Sequence, residues 1–144
     1  MVKEQFIGTW KLVLSEFRLS DGQAVYPLGK EATGMLMYDA SGHMSAQLMR
    51  RDRPTFASDD PFSGTLSEIK PAFEGFAAYF GTYEINEERA IVVHHVEGSL
   101  FPNWVGGNQI RFFELSGDRL TLSAPPIPMS GREMTGFLIW ERAG

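Results

Sequence analysis

Three turn signals set between alternating apolar residues constrain this chain more than anything else in it. Asp39-Ala40-Ser41-Gly42, Asn86-Glu87-Glu88-Arg89 and Gly117-Asp118 each separate two runs in which apolar and polar side chains alternate. Period-two alternation marks a strand with one buried face, and a Gly-, Asp- or Asn-bearing gap between two such runs closes a hairpin. At 144 residues and 43% hydrophobic content the chain is one domain in size, with a core of its own. No repeat, low-complexity tract or linker divides it. The sequence predicts a single all-β domain over residues 1–144, a barrel or a sandwich.

The turns also set which side chains share a face. The first strand is predicted over 9–19, with Trp10, Leu12, Leu14 and Glu16 together. Pairing Asp39 with His43 sets Tyr38 opposite Met44 and Leu36 opposite Ala46, and turns Met35 and Met37 outward. With Glu87 and Glu88 at the centre of the next turn, Ile85 faces Ala90, Tyr83 faces Val92 and Gly81 faces His94. Tyr79, Tyr83 and His94 then share a face, while Glu84, His95 and Glu97 lie on the other. Two carboxylates are too costly to bury unpaired, so the first face goes inside. Gly117-Asp118 sets Leu115 opposite Leu120, Phe113 opposite Leu122 and Arg111 opposite Ala124. Pro125, Pro126 and Pro128 stop that strand. The last strand, 134–142, carries Leu138, Trp140 and Arg142 on one side. Residues 51–65 read as a loop. Residues 67–75 read as a short helix or lid, with Ser67 as N-cap, Glu68 in the first turn, and Pro71 tolerated if it too lies there.

In this order, several landmarks resemble the bacterial and fungal lipocalin-like domain family. They are Gly8-Thr9-Trp10, Gly34 through Tyr38, Gly42-His43-Met44-Ser45, Tyr79-Phe80-Gly81-Thr82-Tyr83, His94-His95-Val96-Glu97, Pro102-Asn103-Trp104-Val105-Gly106, Arg111 and Trp140-Glu141-Arg142. The match covers essentially the whole chain. It implies an up-and-down antiparallel lipocalin-like barrel of about eight strands, closed at one end and open to a cavity at the other. It also implies that Trp10 lies in the closed end with Arg142 over its ring, a cation–π contact of structural purpose.

Charge and composition narrow the partners. A net charge of −5 and a pI near 5.2 oppose nucleic-acid binding. The run Arg50-Arg51-Asp52-Arg53 is short and interrupted by an acid, and reads as a solvated loop. There is no cysteine, so no disulfide and no thiolate site. His94 and His95 are adjacent on a strand and point to opposite faces, so they do not share a metal. No metal or cofactor is expected; a haem on one inward histidine has nothing further behind it. No segment is long and apolar enough to span a membrane, and the first ten residues lack an apolar signal core, so a cytoplasmic protein is expected. Val13, Phe17, Phe137 and Ile139 are predicted to form an outer apolar patch, a candidate homodimer interface or the seat of the 67–75 helix.

The inward faces carry the candidate site: Arg111, His94, Tyr83, Tyr38 and Glu16, with Tyr79 and Gln109 added. A buried guanidinium needs an anion. Arg111 either pairs with Glu16 or the tyrosine hydroxyls, or it anchors a ligand oxygen, for which its planar fork is suited. The first function expected is binding of a small apolar or amphipathic organic molecule with an acidic or phenolic oxygen. The alternative is a cyclase or isomerase acting on a polyketide- or terpenoid-like intermediate. There His94 or Tyr83 would move a proton and Arg111 would hold an enolate. A third reading is a filled barrel that acts through a partner protein.

Overall fold

The computed structural model describes residues 2–144 and shows a closed antiparallel barrel. Its elements are α1 (Val2–Phe6), β1 (Gly8–Leu19), β2 (Ala24–Val25), β3 (Thr33–Tyr38), β4 (His43–Met49), α2 (Leu66–Glu74), β5 (Phe76–Asn86), β6 (Ile91–Ser99), β7 (Asn108–Ser116), β8 (Arg119–Ser123), β9 (Ile127–Met129) and β10 (Arg132–Arg142). Eight strands form the ring β1-β3-β4-β5-β6-β7-β8-β10, which closes by pairing β10 with β1; β2 and β9 flank it. No described helix is long and apolar enough to cross a membrane.

Turn chemistry sets most of the register. Asp39 accepts from the backbone N–H groups of Ser41 and His43, and Gly42 takes φ of 97°, so Tyr38 faces Met44 and Leu36 faces Ala46 as predicted. Leu115 faces Leu120 and Phe113 faces Leu122. The 86–91 hairpin differs. Its loop runs over Glu87–Ala90, with Ala90 at φ of 53°, so Ile85 pairs with Val92, Tyr83 with His94 and Gly81 with Val96. The shift is two residues, which leaves every side chain on its predicted face.

A one-residue irregularity in β1 has the opposite consequence. Leu12 pairs with Trp140 and Leu14 with Ile139, so Val13 is an extra residue, a bulge. Beyond it the faces exchange: Ser15 and Phe17 point inward, while Leu14 and Glu16 point outward. The inward placement of Glu16 is therefore corrected. Its carboxylate instead accepts from Arg18 and from the Tyr26 hydroxyl on the outer surface, and this holds its pKa below the ordinary value. The outer patch changes with it, losing Phe17, gaining Leu14, and having Arg18 laid over the Phe137 ring at 4.2 Å. α2 does not cover it, because that helix packs on β5, across the ring from β10.

The ends of the barrel differ in how they are filled. α1, not predicted, plugs one end. Phe6 is fully buried with its ring edge-on to Tyr38 and Phe113, and its carbonyl accepts from Trp10 Nε1 at 2.9 Å. Arg142 lies 4.3 Å from the Trp10 ring centroid and donates to the carbonyls of Gln5 and Ile7, so it closes the plug as the resemblance implied. The connections at the other end form a mouth. α2 is capped by Thr65, not Ser67, in a reciprocal box with Glu68, and Pro71 sits in its second turn. The 50–53 run is not merely solvated: Arg50 donates to Pro27 O, Arg51 to Glu31 O and Arg53 to Ala72 O, tying this loop to the 27–31 loop and to α2. β8 ends at Ser123, before Pro125 and Pro126, as predicted; Pro128 belongs to the next strand. It lies in the short flanking strand β9, on the sheet edge, where a missing N–H is tolerated.

Candidate functional site

A cavity of about 460 Å³ opens at the mouth and runs down inside the ring. Its walls are mostly apolar, with Leu36, Ala46 and Leu48 from β3 and β4, and Leu122, Leu138 and Trp140 from β8 and β10. Leu28, Phe76, Trp104 and Met129 surround the opening. That volume lies within the usual range for small-molecule pockets, and it rules out a solidly filled barrel.

His94 is the buried polar centre of this cavity, with 1% of its surface exposed. Pairing of β5 with β6 and closure of the ring put it between two phenols. Tyr38 Oη lies 2.7 Å from Nε2 and Tyr79 Oη lies 2.7 Å from Nδ1. Burial, then the positive charges of Arg111 and His95, push its pKa down to about 3, so the ring is neutral at physiological pH. Burial raises the pKa of both tyrosines, so these hydroxyls keep their protons. His95, one residue on, points outward and meets Glu84 and Asn108, which raise its pKa. No cluster of three or more metal-ligating side chains exists among the described residues. With both nitrogens of His94 engaged, none is left for a haem iron.

Arg111 lines the cavity on β7, next to this chain. Its Nη2 donates to Gln109 Oε1 at 2.7 Å and its Nη1 to the Ile110 carbonyl at 2.8 Å. Among the described residues it joins no ion pair. The expected pairing with Glu16 is absent, because the β1 bulge turns that residue outward. A guanidinium has five N–H donors, so Arg111 retains donors for a further acceptor.

The remaining predicted residues separate. Tyr38, Tyr79 and His94 come together with Arg111, and Gln109 buttresses Arg111. Tyr83 is inside the barrel but at the plugged end. Its ring packs on Tyr38 and its hydroxyl donates to the Asp39 carbonyl at 2.7 Å, away from the cavity wall. Several wall residues were not among the predicted ones: Ser15, Phe17, Glu74, Trp104 and Trp140. Ser15 Oγ and Trp140 Nε1 are buried without a hydrogen-bond partner among the described residues. For Ser15 and Phe17 a signal existed, since Leu12-Val13-Leu14 breaks the alternation where the bulge falls.

Comparison with known proteins fits this geometry. The sequence pattern of the lipocalin-like domain family matches residues 7–143, the whole span of the barrel. The chain belongs to the lipocalin-like domain family. This lipocalin-like chain is 36% identical over 106 residues to the 4'-hydroxy-3'-methoxypropiophenone carrier protein of Aspergillus oryzae (strain ATCC 42149 / RIB 40), an alignment covering 69% of this chain and 96% of that relative. No solved structure matches the lipocalin-like chain. A lipocalin-like barrel with a carrier protein among its relatives supports small-molecule binding, with a small organic compound as the partner.

Proposed function

We propose that this lipocalin-like protein is a carrier that holds a small amphipathic molecule in its barrel, with an acidic or phenolic oxygen of that molecule on Arg111. The observation that carries this reading is a guanidinium facing a largely apolar cavity and, among the described residues, paired with no carboxylate; Glu74 in the same lining is paired with Lys70. Charge-assisted hydrogen bonds to a guanidinium are strong and select oxygen acceptors, while the apolar walls contribute by area. A phenolic ketone, the compound class in the relative's name, combines both properties. The cyclase or isomerase reading needs a proton-moving group, and neither candidate suits it. His94 is held neutral with both nitrogens occupied, and Tyr83 is tied to a backbone carbonyl at the plugged end.

Native mass spectrometry tests the carrier reading directly. The protein incubated with 4'-hydroxy-3'-methoxypropiophenone is expected to carry a single added organic mass, retained at low collision energy. Bare protein throughout the titration would end the proposal.

A further inference from the structure

The Tyr38–His94–Tyr79 chain has a direction, and hydrogen bookkeeping determines it. A neutral imidazole has one N–H and one bare nitrogen, so one tyrosine must donate to the ring and the other must accept from it. Tyr38 is 2% exposed, and among the described residues its hydroxyl has His94 Nε2 as its hydrogen-bond partner. If Nε2 carried the proton and donated to Tyr38, the Tyr38 hydroxyl hydrogen would be buried with nothing to accept it. Leaving a buried donor unmet is costly, and folded proteins rarely do so. Tyr79 is different, because it lines the cavity and its hydrogen can be offered there.

We propose that the chain runs one way: Tyr38 O–H donates to Nε2, Nδ1–H donates to Tyr79 Oη, and the Tyr79 O–H is thereby presented to the cavity as a donor. Tyr38 and His94 are then positioning residues that make Tyr79 a hydrogen-bond donor beside Arg111. The ligand class follows, resting on the carrier reading above. The oxygen held at this wall is an acceptor, a carbonyl or a phenolate, rather than a hydroxyl or ammonium that needs to give a proton. Glu74, at the mouth, is the carboxylate that the cavity does include, and it is paired with Lys70.

Two measurements separate this proposal from the reading beneath it. Nitrogen-15 NMR of histidine-labelled protein at pH 7, with the His94 signals assigned by their loss in His94→Gln, reads the tautomer without any ligand. The expected result is Nδ1 protonated and Nε2 bare; a proton on Nε2 overturns the direction. Calorimetric titration then compares propiophenone, which has a carbonyl acceptor and no donor, with propylbenzene, which has neither. Propiophenone is expected to bind about 100-fold more tightly, with Arg111 and Tyr79 both donating to its oxygen, and Tyr79→Phe to lower that advantage about ten-fold while leaving propylbenzene unchanged. An advantage undiminished in Tyr79→Phe overturns the donor role of Tyr79. If the tautomer is as expected but neither compound binds, the direction stands and the carrier reading, with the ligand class resting on it, is overturned.

Discussion

Arg111→Leu is expected to weaken binding of 4'-hydroxy-3'-methoxypropiophenone by roughly 10- to 100-fold while leaving the barrel folded. The magnitude follows from the net value of a hydrogen bond to a charged group, about 1.5–3 kcal/mol. The fold is expected to tolerate the change because, among the described residues, Arg111 has no carboxylate partner that would be left as an orphaned charge. Its bonds are to Gln109, its neighbour on β7, and to the Ile110 carbonyl. Leucine also adds apolar surface to a largely apolar wall, so an oxygen-free hydrocarbon such as propylbenzene should bind at least as well as before. Calorimetric titration of both compounds, with circular dichroism to check the fold, reads the result. Equal loss for both compounds would mean that the cavity had collapsed. No loss for either would remove Arg111 from the site.

Acidification supplies the second large effect. His94 is held neutral in the folded protein, with its pKa pushed from the ordinary 6.5 to about 3, chiefly by burial. Between those values the unfolded chain binds a proton that the folded chain refuses, so stability falls as pH is lowered through this window. At pH 4 the loss from this one residue reaches about 3 kcal/mol, a large part of the total for a small domain. The carboxylates of Glu16, Asp39, Asp60 and Glu68 have lowered pKa values and act with the same sign as pH falls through the ordinary carboxylate range, but equally in wild type and in a variant changed only at His94. His95, raised by Glu84 and Asn108, acts with the opposite sign and weakly, because it is on the surface. His94→Gln isolates the effect, since an amide can both donate and accept between the two tyrosines yet does not titrate. Urea unfolding at pH 7 and pH 4 should show wild type losing more stability than the variant over that interval. Parallel losses would contradict a neutral, buried His94.

The wall that carries Tyr79, His94 and Arg111 was legible in the sequence because a strand residue's face depends only on parity. Strand faces alternate strictly, so the two-residue error at the 87–90 turn left Tyr79, Tyr83 and His94 on the correct side, and the 117–118 turn did the same for Arg111. Glu16 failed for the complementary reason: the bulge at Val13 inserts one residue, and an odd shift exchanges the faces. Depth was not legible at all. Tyr83 and Tyr79 share a face of β5, yet one packs on Tyr38 at the plugged end and the other reaches the cavity. That division depends on α1, whose Phe6 fills the plugged end, and a five-residue helix leaves little trace in periodicity. The contacts of the loop arginines were not legible because their partners are backbone carbonyls about 20 residues away in sequence, Pro27, Glu31 and Ala72, which no local pattern reveals. The pairing of His94 with two phenols arises from ring closure, which brings β3 and β6 side chains together across the interior.

A crystal structure of the protein soaked with 4'-hydroxy-3'-methoxypropiophenone shows whether Arg111 holds the ligand. The compound is expected inside the barrel, its ring against Leu36, Leu138 and Trp140, with one oxygen within hydrogen-bond distance of both Arg111 and the Tyr79 hydroxyl. An occupied cavity in which that oxygen lies away from Arg111, or an empty cavity with the compound bound only on the outer surface, would remove that role from Arg111.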